Sequence, residues 1–161
     1  MKILVAGVGN VLRGDDGFGI RVIEALAGAA VPDGVDLYEA GIGGIPLVQE
    51  LMKGYDALIA VDAVDKSQAP GTLFILEPVA EKTDSAELRQ QMVDAHYTDP
   101  AKALLLARAL NVCPPQVFIV GCQPAQVEDA IEALHPAVEQ AVPLAVAQVL
   151  SLIESLLQQS R

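Results

Sequence analysis

Lys2-Ile3-Leu4-Val5-Ala6-Gly7-Val8-Gly9-Asn10 decides the fold. The run is apolar without polar alternation, which is how a strand covered on both faces reads, and the glycines that close it mark a turn into a helix. A strand of that kind belongs to a mainly parallel sheet with helices on both sides. Working outward, apolar or β-branched runs at 35–39, 57–61, 73–77 and 117–120 join Ile3–Val8 to predict five strands. Between and after them, apolar residues recur at helical spacing over 17–28 (Phe18, Val22, Ile23, Leu26), 45–53 (Leu47, Val48, Leu51), 100–110 (Leu104, Leu105, Leu110) and 137–157 (Val138, Val142, Ala145, Val149, Ile153, Leu156). The alternation predicts an α/β fold: a three-layer sandwich in which a mainly parallel, twisted five-stranded sheet is flanked by helices. Residues 78–99 carry no convincing strand, and Ser85 could cap a short helix over 85–92 there.

The turn after the first strand is unusual for its charge. A glycine turn leading into a helix presents backbone N–H groups and a positive helix end, an arrangement suited to an anion. Here Asp15-Asp16 occupies that position and would repel a phosphate. In open parallel sheets the functional crevice lies beyond the carboxyl ends of the strands. Three polar residues are expected there: Asp16 after the first strand, Asp62 at the end of the third, and His96 in the irregular stretch before a helix. A carboxylate at the end of an apolar strand is partly desolvated and needs a cation, a donor or a shared proton. Two carboxylates and an imidazole form a donor set for a borderline divalent ion such as nickel or zinc, with positions left open for water or substrate. Plainer roles stand beside these. Asp15 or Asp16 could cap the helix starting near Gly17, Asp62 could pair with Lys66, and His96 could be a solvated loop residue. His135, before Pro136, reads as structural.

Bulk properties narrow the class. The chain has 161 residues, of which 52% are hydrophobic, enough for one domain (1–161) and too few for two ordinary ones. Ten Lys and Arg against 21 Asp and Glu give a net charge of -11, which disfavours nucleic acid and anionic membranes. Cys113 and Cys122, without a leading signal segment, fit a reducing compartment, so a cytoplasmic protein is expected. The most apolar region, 142–157, is interrupted by Gln148, Ser151, Glu154 and Ser155, and no membrane span is expected.

Other catalytic templates fit poorly. There is no Gly-x-Ser-x-Gly elbow, no His-Glu-x-x-His helix and no Cys-x-x-Cys pair. Cys122 follows an apolar strand and could approach His96 as a thiolate, but a small buried residue is the preferred reading. A dinucleotide-binding reading would use Gly7-x-Gly9 with Asp36 or Glu39 as the ribose acid. Leu12 replaces its third glycine, where it would crowd the helix–strand contact. Asp15-Asp16 also sets like charge near the pyrophosphate, at about 4 kcal/mol for a pair 4 Å apart before screening.

The motifs Gly7-Val8-Gly9-Asn10-Val11-Leu12-Arg13-Gly14-Asp15-Asp16-Gly17-Phe18-Gly19, Val61-Asp62-Ala63, Ala69-Pro70-Gly71-Thr72, His96 and Val120-Gly121-Cys122-Gln123-Pro124 together resemble the hydrogenase maturation endopeptidases of nickel–iron hydrogenases. The resemblance runs in order and spacing from Met1 to about Leu157. It implies a twisted sheet between helices and removal of a C-terminal peptide from a nickel-loaded large-subunit precursor. It implies metal contact by Asp16, Asp62 and His96, with Asp15 or Asp16 activating water. The nickel would be carried by the precursor, and zinc or another divalent ion could take its place in the isolated protein. A non-cleaving, metal-sensing assembly chaperone would use the same three ligands. Two departures stand out. Where relatives carry Asp-Gly-Gly-Thr, this chain reads Glu39-Ala40-Gly41-Ile42-Gly43, without the threonine hydroxyl, and the histidine lies in Asp94-Ala95-His96 where relatives have Ser-x-His.

Overall fold

The computed structural model describes residues 1–42, 44–78 and 100–160. Five strands, β1 (Ile3–Val8), β2 (Val35–Gly41), β3 (Ala57–Ala63), β4 (Leu73–Leu76) and β5 (Gln116–Cys122), form one sheet in the order β2-β1-β3-β5-β4. All neighbouring pairs are parallel except β4 with β5. Helices α1 (Phe18–Ala27) and α4 (Pro136–Gln159) pack together, as do α2 (Gly44–Leu51) and α3 (Pro100–Ala109). The three-layer reading therefore holds, with strand and helix boundaries displaced by a few residues at most. His96 and the short helix suggested at 85–92 lie outside the described residues.

The apolar strands serve two cores at once. Along β1, Ile3 and Val5 join Phe18, Val22, Val138 and Val149 under α1 and α4, whereas Leu4, Ala6 and Val8 join Leu47, Leu51 and Leu104 under α2 and α3. β3 divides likewise, with Ile59 and Val61 on one side and Leu58 and Ala60 on the other. Successive side chains of a strand leave by opposite faces, so a central strand between two helical layers has no polar side to show. Burying each Leu or Ile fully is worth about 1.5–3 kcal/mol relative to exposure.

α4 contains an 18-residue window of mean hydropathy 1.5, which by length and composition is apolar enough to cross a bilayer. Its buried positions Val138, Ala141, Ala145, Val149, Ile153 and Leu156 all belong to the first core. The helix begins with Pro136 in its first turn, where a missing N–H costs nothing, and His135 Nδ1 accepts from Ala137 N as its N-cap. The structural reading of His135 thus has a geometry.

Because β2 lies on one side of β1 and β3 on the other, the chain reverses its direction of travel across the sheet at β1 and β3. That switch point opens a crevice beyond the carboxyl ends of the two strands. Asp62 is the last residue but one of β3, and the loop carrying Asp15 and Asp16 leaves β1.

Candidate active site

The first loop is shaped by contacts that few sequences permit. Asn10 Oδ1 accepts from Leu12 N at 2.9 Å and its carbonyl from Arg13 N at 3.0 Å, folding the chain back before a 3₁₀ turn at Gly14–Gly17. Gly9 has φ +125°, and a Cβ there would lie 1.7 Å from the Asp16 carbonyl oxygen, so only glycine fits. Gly19 packs as tightly, its missing Cβ falling 2.2 Å from Val61 O and 2.4 Å from Val8 O. α1 is thereby seated directly on β1 and β3, and the 3₁₀ turn contacts β3. Asp16 and Asp62 are brought to the same end of the same two strands.

The adjacent aspartates do different things. Asp15 is fully buried, and its carboxylate accepts three backbone N–H groups from the loop after β5: Ala125 and Gln126 on Oδ2 at 2.7 and 2.8 Å, and His135 on Oδ1 at 2.6 Å. Both oxygens accept backbone hydrogen bonds, three in all. Asp15 thereby ties the loop after β5 to the first loop. Asp16 is half-buried, with Oδ2 accepting from Asn10 N at 2.9 Å. Its other oxygen accepts no hydrogen bond among the described residues. Neither acid caps α1, whose N-cap Gly17 receives no side-chain bond; a helix that opens out of a 3₁₀ turn has its leading N–H groups directed elsewhere.

Asp62 is 5% exposed at the last turn of β3, in register with Gly121. Asp16 and Asp62 supply oxygen donors, and the third expected donor, His96, lies outside the described residues. Among the described residues no group of three or more His, Cys, Asp or Glu is placed to hold a metal ion.

Cys122 is buried beside Asp15, and burial, reinforced by the Asp15 charge, pushes its thiol up to about 12. A thiol held protonated is no nucleophile, in line with the preferred reading. The dinucleotide reading meets a correction to one of its objections. Leu12 does not crowd the helix–strand contact, because it is 52% exposed in the loop and Gly19 provides the close approach. The charge objection stands with Asp16 at the mouth of the turn.

Sequence reasoning assigned no role to Gln123. It is 5% exposed just beyond β5, its Oε1 accepting from Lys66 N at 2.7 Å and Gln68 N at 3.1 Å, its Nε2 donating to Asp65 Oδ1 at 3.0 Å and Pro124 O at 3.2 Å. Bonds from Ser67 N and Gln123 hold the Asp65 carboxyl below its usual range. The available signal was a polar side chain at the carboxyl end of an apolar strand, the same signal that drew attention to Asp62. Arg13 pairs with Asp129 at 2.7 Å, and Gly14 N donates to Ile131 O, so the loop after β5 is tied along the first loop at several points.

Comparison with known proteins places this geometry. Residues 20–152 match the family described as HycI, hydrogenase maturation protease. The hydrogenase expression/formation protein HupD of Rhodobacter capsulatus is 34% identical over 148 residues, covering 91% of this chain and 69% of that protein. HupM of Azotobacter chroococcum mcd 1 is 39% identical over 129 residues, covering 80% of this chain and 60% of its own length. The solved structure of the hydrogenase maturating endopeptidase HybD from E. coli superposes with a TM-score of 0.77 at 33% identity, covering 96% of this chain and 93% of that one. With the family match over residues 20–152 and the shared fold, the chain belongs to the hydrogenase maturation proteases, a family of peptidases.

Proposed function

We propose that this chain cuts one peptide bond near the C-terminus of a hydrogenase large-subunit precursor after nickel has been inserted, as a cytoplasmic, aspartyl-type endopeptidase that thereby activates another enzyme. The observation that carries the reading is the seating of α1 on β1 and β3 through Gly19, which sets Asp16 and Asp62 at one crevice. Asp16, Asp62 and His96 meet the precursor's nickel. Zinc or another divalent ion can occupy the same donors in the isolated protein, since carboxylate oxygens and an imidazole accept either.

Hydrolysis needs a water oxygen to bond to the scissile carbonyl carbon, the C–N bond to break, and the leaving amine to receive a proton. Of the two adjacent acids, Asp16 has an oxygen not held by backbone N–H groups, and it takes the proton from the attacking water. Nickel in the substrate polarises the carbonyl it approaches.

The test is to mix the protein with nickel-loaded precursor and weigh the large subunit. Loss of a C-terminal peptide supports the reading. An unchanged mass with a stable complex would instead mark a metal-sensing chaperone.

A further inference from the structure

Gln123 and Asp15 together build a crosspiece between the loop that carries Asp16 and the chain that continues from Asp62. On one side, the Gln123 amide gathers residues 65–68, the chain immediately after β3: it accepts from Lys66 N and Gln68 N and donates to Asp65. Val64 N adds a bond of 2.9 Å to the Cys122 carbonyl. On the other side, the next residues of the same segment, Ala125 and Gln126, donate to Asp15, and the Gln126 carbonyl accepts from Asp15 N at 3.0 Å. A stretch of four residues, 123–126, is therefore bonded on one flank to the neighbour of Asp16 and on the other to the chain that continues from Asp62. Gln123 is anchored in turn through its backbone, with N donating to Thr72 O and its carbonyl accepting from Gly71 N, both at 2.9 Å.

We propose that Gln123 is a positioning residue of this site: with Asp15 it fixes the spacing between the Asp16 and Asp62 carboxylates. The inference rests on the reading that those two carboxylates act together on the precursor. Gln123 touches neither carboxylate. It acts through the loop that follows Asp62, and Asp15 acts through the backbone it shares with Asp16. Displacing one carboxylate by about 1 Å relative to the other lowers turnover about 100-fold even when nothing that touches substrate has changed.

The donor and acceptor pattern supplies a test that a general loss of stability cannot imitate. Gln123→Glu keeps an oxygen for Lys66 N and Gln68 N but sets a carboxylate against Asp65. Adding Asp65→Asn removes the like charge and turns an amide donor towards the introduced carboxylate, in place of the bond that Ser67 N makes to the same Asp65 Oδ1 at 2.8 Å. The expected result on nickel-loaded precursor is a fall in kcat of about 100-fold for Gln123→Glu with KM little changed, and recovery to within about tenfold of the parent for the double variant. If Gln123→Glu does not fold, as its thermal unfolding would show, Asp65→Ala serves instead. Asp65 is exposed, its loss removes the acceptor for Gln123 Nε2, and kcat should fall with KM unchanged. Parent-like kcat in Gln123→Glu, or in Asp65→Ala where that is the variant used, overturns the proposal, as does a double variant that folds without recovering. If the unaltered protein itself leaves loaded precursor uncut, it is the proteolytic reading that fails.

Discussion

Gly19→Ala tests whether the seating of α1 is what joins the two carboxylates. Alanine is the better helix former by about 1 kcal/mol, so in an uncrowded helix the change stabilises. Here the added Cβ would stand 2.2 Å from Val61 O, 2.4 Å from Val8 O and 2.8 Å from Val8 N. All three obstacles are backbone atoms of central strands, which cannot rotate aside. To regain ordinary contact α1 must retreat by roughly 1 Å, and overpacking of that sort costs about 1–3 kcal/mol, outweighing the propensity gain. The same retreat carries Asp16 away from Asp62, so processing should fall by about 100-fold. Urea unfolding gives the stability, and the mass of the large subunit over time gives the rate. Gly28→Ala is the control, since its Cβ would meet only Ala25 O at an ordinary 3.6 Å. Gly19→Ala with parent stability and parent processing would refute the claim that this contact sets the site.

Asp15→Ala removes the acceptor of three backbone N–H groups on exposed or half-buried residues, so urea unfolding should show a loss of about 1–3 kcal/mol; Arg13→Ala, which breaks an exposed pair, should cost under about 1 kcal/mol. Equal losses would contradict the division drawn between them. Cys122 should leave processing insensitive to iodoacetamide at pH 7, because its thiol stays protonated and buried; rapid inactivation traced to Cys122 would overturn this. The folded thiol titrates near 12 and the unfolded one near 9.0, so between those values the folded state holds the extra proton, and stability falls as pH rises from about 9 towards 12. Unfolding curves at pH 8 and 11 should therefore converge in Cys122→Ala relative to the parent; parallel behaviour would count against the shift.

The sheet was legible because its central strands are apolar on both faces, which only a covered parallel sheet requires. The direction of β4 was less visible. Four residues carry no mark of orientation, yet the connection 64–72 is too short for a crossover, and that length alone forces an antiparallel return. The candidate site was placed at Asp16 and Asp62 because a charge at the end of an apolar strand is costly without a purpose. The split between Asp15 and Asp16 could not. Two neighbours of identical chemistry leave a 3₁₀ turn in different directions, and only the return of residues 125–135 over the first loop decides which is buried. Gln123 escaped for a related reason, since its partners lie 55–58 positions away in the chain.

The most direct measurement is the mass of the large subunit after incubation with this protein, made side by side on nickel-loaded and nickel-free precursor and repeated with Asp16→Asn. The account predicts a C-terminal peptide lost from the loaded precursor alone, and no loss with the folded variant. Equal cutting of loaded and empty precursor, or cutting by Asp16→Asn at the parent rate, would contradict it.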